Sequence, residues 1–81
     1  MSMLQEALEH LVRGIVDYPE DVQVDLRNNR RGEMLSVHVH PEDLGRVIGR
    51  KGRTANALRA VVEGLAGYSV RVDVVDTDRR R

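Results

Sequence analysis

A two-layer α+β domain, with three helices laid on one face of a three-stranded sheet, is the fold this sequence predicts. Three observations carry that expectation. Three short stretches alternate valine or leucine with polar residues, the two-residue period of a half-buried strand. Two longer stretches repeat apolar residues at helical spacing. Turn residues separate these segments and give the order α-β-β-α-α-β. At 81 residues the chain forms one small domain, so all six elements share a single core.

Ser2 caps the first helix, with Gln5 three residues on completing a capping box. Leu4, Leu8, Leu11, Val12 and Ile15 then make one apolar face, and Tyr18-Pro19 stops the helix. Val22, Val24 and Leu26 alternate with Gln23, Asp25 and Arg27 as a first strand. Asn28 to Gly32 is a turn, rich in residues that tolerate the left-handed region. Leu35, Val37 and Val39 alternate with Ser36, His38 and His40 as a second strand that pairs with the first. Pro41 begins a short helix, with Glu42 and Asp43 in its first turn where the helix dipole favours acids. That helix carries Leu44, Val47 and Ile48 inward. A longer helix follows from about Arg53 to Ala66, and Val70, Val72 and Val74 mark a third strand.

The segment from Gly45 to Arg53, Gly-Arg-Val-Ile-Gly-Arg-Lys-Gly-Arg, carries the chemistry. Gly49 and Gly52 enclose Arg50 and Lys51. Glycine at each end lets the backbone turn sharply and lets another backbone approach without meeting a Cβ. The turn opens onto a helix N-terminus, whose N–H groups and positive dipole end favour phosphate. Cations at the tip suit a polyanion. A second G-x-x-G, Gly64 to Gly67, encloses Leu65 and Ala66 and has no charge. It reads as the end of the long helix, with Gly67 as its left-handed cap.

The charge distribution agrees. The net charge is zero, but residues 1–26 carry six acids against Arg13, and residues 27–59 carry eight bases against three acids. The basic segment contains the glycine turn, which points to a nucleic-acid backbone as ligand. With no Phe or Trp and only Tyr18 and Tyr68, the chain lacks the stacking aromatics of other single-strand binders. The tyrosines read as packing residues. His38 and His40 could hold a metal only with a converging third ligand, and no such residue lies near in sequence, so no metal or cofactor is expected. No serine or threonine has the context of a nucleophile, and an enzyme is not expected. There is no cysteine, and no apolar run approaches the ~20 residues of a membrane span. A cytoplasmic protein with no membrane or small-molecule partner is the expectation.

This element order, with the glycine turn between the fourth and fifth elements, resembles a KH domain of the type II arrangement. Gly45 to Thr54 is similar to the signature of the small stand-alone bacterial KH proteins, the KhpA family, and the resemblance extends over the whole chain, with residues 77–81 as a frayed basic tail. It implies a fold in which the G-x-x-G loop holds about four single-stranded nucleotides. Carried over, Gly49 and Gly52 would allow close approach, and Arg50 and Lys51 would contact phosphates. Val47 and Ile48 would form the apolar side of the groove or the core beneath it, with Arg46, Arg53 and Asn56 on its rim. It further implies a dimer with itself or with a larger KhpB or Jag-type KH protein, an RNA chaperone role, and links to cell shape and cell division.

On the long helix, Ala55, Leu58, Val62, Leu65 and Ala66 form the stripe expected to face the sheet. Ala57 and Val61 fall beside it, either as a flank buried under the first helix or as a dimer seam. Two rival readings share the sequence features. A helix-turn-helix DNA binder also joins two helices through a glycine turn, but here the cations sit in the turn and not on a recognition helix. An interaction module with little RNA binding is compatible with the zero net charge.

Overall fold

The computed structural model describes residues 2–30 and 32–77. Arg31 and the basic tail from Asp78 to Arg81 lie outside the described residues. The elements are α1 (Met3–Arg13), β1 (Gln23–Asn29), β2 (Gly32–Val39), α2 (Leu44–Ile48), α3 (Arg53–Ala66) and β3 (Arg71–Asp76). Single 3-10 turns precede β1 (Pro19–Asp21), α2 (Pro41–Asp43) and α3 (Arg50–Gly52). The predicted order and α+β class are those observed.

The strands lie in the order β1-β2-β3. β1 pairs antiparallel with β2, from Gln23 opposite His38 to Asn29 opposite Gly32. β2 pairs parallel with β3, from Met34 opposite Arg71 to Val39 opposite Asp76. This register aligns Val24, Val37 and Val74 in one row and Leu26, Leu35 and Val72 in the next, so one sheet face is continuously aliphatic. Onto it the helices bring Leu8 and Val12 from α1, Val47 from α2, and Leu58 and Val62 from α3.

The N-terminal capping box forms as predicted. The Gln5 N–H donates to Ser2 Oγ at 3.0 Å and the Ser2 N–H donates to Gln5 Oε1 at 3.0 Å. The same Gln5 amide donates from Nε2 to the Val24 carbonyl of β1 at 3.0 Å. At the other end of the long helix, Gly67 takes the left-handed conformation (φ 82°) and donates to the Glu63 carbonyl at 2.8 Å, as its position predicts.

Four expectations are corrected. α1 ends at Arg13, ahead of Tyr18-Pro19, because Gly14 breaks it and turns its N–H to the His10 and Leu11 carbonyls. Ile15 therefore leaves the helix, and Leu11, Ile15 and Leu65 are exposed by 37 %, 36 % and 58 %. A three-stranded sheet is narrow, and each long helix fully buries only two positions of its apolar stripe. His40 is not on a strand face: its Nδ1 accepts from the Glu42 N–H at 3.0 Å and caps the turn into α2, while its ring stacks on Tyr18 at 3.8 Å. Asp43 does not serve the α2 dipole from an exposed first turn. It is 1 % exposed, and its two carboxylate oxygens accept from the Asp17 and Tyr18 N–H groups at 3.1 and 3.0 Å. No helix among the described residues is long and apolar enough to cross a membrane.

Candidate nucleic-acid interface

The loop between α2 and α3 is anchored through the turn that leads into α2. Upstream, the Asp43 carboxylate ties the turn before α2 to the segment that follows α1. The Tyr18 hydroxyl donates to Glu42 at 3.2 Å, and this bond, with the adjacent negative charge, raises the tyrosine above its usual pKa. The Tyr68 hydroxyl donates to Glu33 at 2.7 Å and is raised for the same reason; Tyr18 packs by stacking on His40, as a packing residue should. Tyr68 is exposed. Downstream of the loop, α3 starts without a side-chain cap, because its N-cap is Gly52.

Within the loop, Gly49, Lys51 and Gly52 all have positive φ, at 79°, 57° and 76°. Gly49 also has ψ 170°, a region essentially reserved for glycine. A Cβ at Gly49 would stand 2.7 Å from the Thr54 nitrogen and 2.8 Å from its Cβ, so the backbone of α3 occupies that space. At Gly52 the nearest atom to a Cβ would be Asn56 Nδ2 at 3.9 Å, which leaves open space over the loop. The two glycines differ in kind: the first is required by packing, the second by conformation and by an uncovered surface. Lys51 in the left-handed region costs about 1 kcal/mol or more. That conformation places the second cation at the tip of the turn, beside Arg50; both are exposed.

The remaining predicted site residues separate into two groups. Arg53 and Asn56 are exposed on the first turns of α3, Ile48 is 36 % exposed at the loop entrance, and Arg46 is exposed on α2. Val47 is fully buried. Its side chain fills the core beneath the loop, and this removes it from the set of contacting residues. Arg46 also has a partner that local sequence does not show: its guanidinium lies 3.3 Å from the Asp17 carboxylate, 29 residues away. Thr54, packed against Gly49, is a second residue without an assigned role in the sequence reading; the glycine's steric demand reveals it. Ala57 and Val61 lie on the exposed side of α3, with Val61 46 % exposed, so they do not form a flank buried under α1.

An uncapped 14-residue helix, a tip of two exposed cations and an open glycine surface bring a positive dipole end, positive side chains and an approachable backbone to one place. Comparison with known proteins gives the family. The family profile described as KhpA/KhpB, KH domain matches residues 5–77. The chain is 67 % identical over 79 residues to the RNA-binding protein KhpA of Streptomyces coelicolor, a match covering 98 % of this chain and all of that one. It is 63 % identical over 78 residues to the RNA-binding protein KhpA of Mycobacterium bovis, covering 96 % of this chain and 98 % of that one. Among solved structures it is similar to Era from Aquifex aeolicus bound to GDP and aluminium fluoride, with a TM-score of 0.54 and 12 % identity, over 91 % of this chain and 30 % of that one. Era in complex with MgGDPNP and nucleotides 1506–1542 of 16S ribosomal RNA gives a TM-score of 0.52 and 16 % identity, over 96 % of this chain and 32 % of that one. This chain spans about a third of those longer chains, and at such identities the likeness is one of fold. The profile match and the identity to proteins of nearly the same length agree: this chain belongs to the KhpA/KhpB family of KH domains, a non-enzymatic family.

Proposed function

We propose that this protein binds single-stranded RNA without catalysis, gripping the strand's phosphates on the Gly49–Gly52 loop. The observation that carries this reading is the loop itself, where three positive-φ residues present Arg50 and Lys51 over an uncapped helix N-terminus. The relatives named RNA-binding protein KhpA support RNA as the ligand. Gly49, Gly52, Arg50 and Lys51 form the clamp, Ile48 its apolar entrance, and Arg46, Arg53 and Asn56 its rim. A cytoplasmic RNA chaperone or post-transcriptional regulator follows from the resemblance set out above. Fluorescence anisotropy of a labelled unstructured RNA at two salt concentrations tests the reading; a protein that binds duplex DNA in preference would overturn it.

Arg46 enters this site already paired. A phosphate that recruits it must displace Asp17, and an exposed pair of this kind is worth about 0.2–1 kcal/mol. Asp17→Asn is therefore expected to tighten RNA binding about two- to fivefold at low salt. A titration in which the variant binds no better than the parent would remove Arg46 from the rim.

One KH unit covers few nucleotides, so the working form is a dimer, with itself or with a larger KH partner of the KhpB type, and avidity raises the affinity. The exposed side of α3 around Ala57 and Val61, continued by Leu65, supports this reading. Val61→Asp is expected to give a folded monomer with an unchanged thermal midpoint. Light scattering across a concentration series checks this, and an unchanged mass would sink the seam.

A further inference from the structure

At the far end of α3 from the glycine loop, a cavity of about 350 Å³ opens between the helix and the start of β3. Arg59, Glu63, Ser69, Val70, Arg71 and Val72 line it. Glu63 lies roughly 16 Å along the helix axis from Gly52 at 1.5 Å per residue, within the span of a four-nucleotide strand that starts at the loop. Arg59 is one turn nearer the loop on the same side of the helix.

The carboxylate in this cavity is fixed. After α3 the chain turns back through Gly67, and the buried Val70 donates its N–H to Glu63 Oε2 at 3.2 Å. No second donor from the described residues reaches the Glu63 side chain, so Oε1 and the remaining lone pairs of Oε2 are open. Neither Arg59 nor Arg71 has a carboxylate partner among the described residues. The cavity also borders the outer strand of the sheet. Thr77 turns its N–H to the Val39 carbonyl of β2, so by strand alternation Val72 turns its own N–H and carbonyl to the open edge.

We infer that this cavity reads a guanine base, with Glu63 as the specificity-determining residue and Arg59 holding the adjoining phosphate. The inference rests on the proposal that the Gly49–Gly52 loop grips the strand, and it runs the strand from that loop along α3. A carboxylate is an acceptor only, and two adjacent donors meet it best. On its Watson–Crick edge guanine presents N1–H and N2–H₂ side by side. Adenine and cytosine place a ring-nitrogen lone pair next to their single amino donor, and uracil flanks its N–H with two carbonyl oxygens. Each of those lone pairs would face the negative oxygens of Glu63. Guanine O6, next to N1–H, accepts a donor of the kind that Val72 offers.

The test is anisotropy with a uridine decamer and three versions carrying one central guanine, adenine or hypoxanthine. The hypoxanthine version lacks the N2 amino group. Wild type is expected to bind the guanine strand about tenfold more tightly than the uridine or adenine strand, the discrimination of one bidentate contact, with hypoxanthine between. Glu63→Gln keeps an oxygen for the Val70 N–H, so its melting curve should match the parent, and its guanine preference should vanish while uridine binding persists. Equal affinity of wild type for all four strands would overturn the inference, as would a guanine preference that survives Glu63→Gln. The hypoxanthine comparison needs no variant and decides the point if Glu63→Gln fails to fold. Base-indifferent binding that Arg50→Asp with Lys51→Asp abolishes would leave the loop reading standing and remove only the cavity. No binding to any strand would overturn both.

Discussion

Arg50→Asp together with Lys51→Asp is expected to lower affinity for an unstructured ~20-nucleotide RNA by about 100-fold at low salt, because two phosphate contacts become two repulsions. The fold should be unaffected. Both side chains are exposed, so no packing is lost. Lys51 has φ 57° and ψ 26°, a conformation that aspartate adopts more readily than lysine. The steric demands of the loop stay with Gly49 and Thr54, which the substitutions do not touch. The salt dependence supplies a second readout. Two to four phosphate contacts on a single strand give a slope of roughly −1.5 to −3 in log K against log salt, and losing two contacts should flatten it by about 1.4. Binding that survives the double substitution with its slope intact would detach RNA recognition from this loop.

The largest effect on stability is expected from Asp43→Ala. The carboxylate is buried and satisfies the backbone of two successive residues, Asp17 and Tyr18, 25 and 26 positions away. Alanine would leave both N–H groups of this part-buried contact without their acceptor. Two such losses cost about 3–5 kcal/mol together. In a domain this size that corresponds to a fall of roughly 15–30 °C in melting temperature, a large part of its total stability. Asp43→Asn keeps one oxygen as acceptor and should fall between the two. Thermal unfolding followed by far-ultraviolet circular dichroism reads all three proteins. An alanine variant that melts with the parent would show that the segment between α1 and β1 is held by something other than this carboxylate.

The parts of the molecule that sequence made legible are those whose cause is local. Valine alternation in β2 marks the inward row Leu35, Val37 and Val39, because the two-residue period is a property of the strand itself. Gly67 announces the end of α3 because a left-handed cap is a demand on one residue. The glycine loop is legible because its geometry and its charges lie within four residues. Helical spacing, in contrast, gives the direction of an apolar stripe and not its covered width. Leu11 and Leu65 have the right phase, but the neighbouring surface does not reach them. Asp43, His40 and the Arg46–Asp17 pair were misread or unseen because their partners belong to other elements of the fold. A carboxylate after proline looks the same in sequence whether it serves its own helix or a distant loop. Glu63 is an intermediate case. Its contact with Val70 spans one turn around Gly67, and a glycine cap followed by a strand is a signal that the last helical side chains face the returning chain.

The amide of Gln5 joins two structures that are usually separable. One end closes the first turn of α1 and the other holds the outer carbonyl of Val24 in β1. Unwinding of the first helical turn therefore also unlatches the margin of the sheet, and detachment of the helix from β1 removes a support of its own start. The two openings form one cooperative event, and amide protons in both places should exchange with solvent at matched rates. The N-terminal helix is thus a working part of the sheet's border, coupled to it through this one side chain.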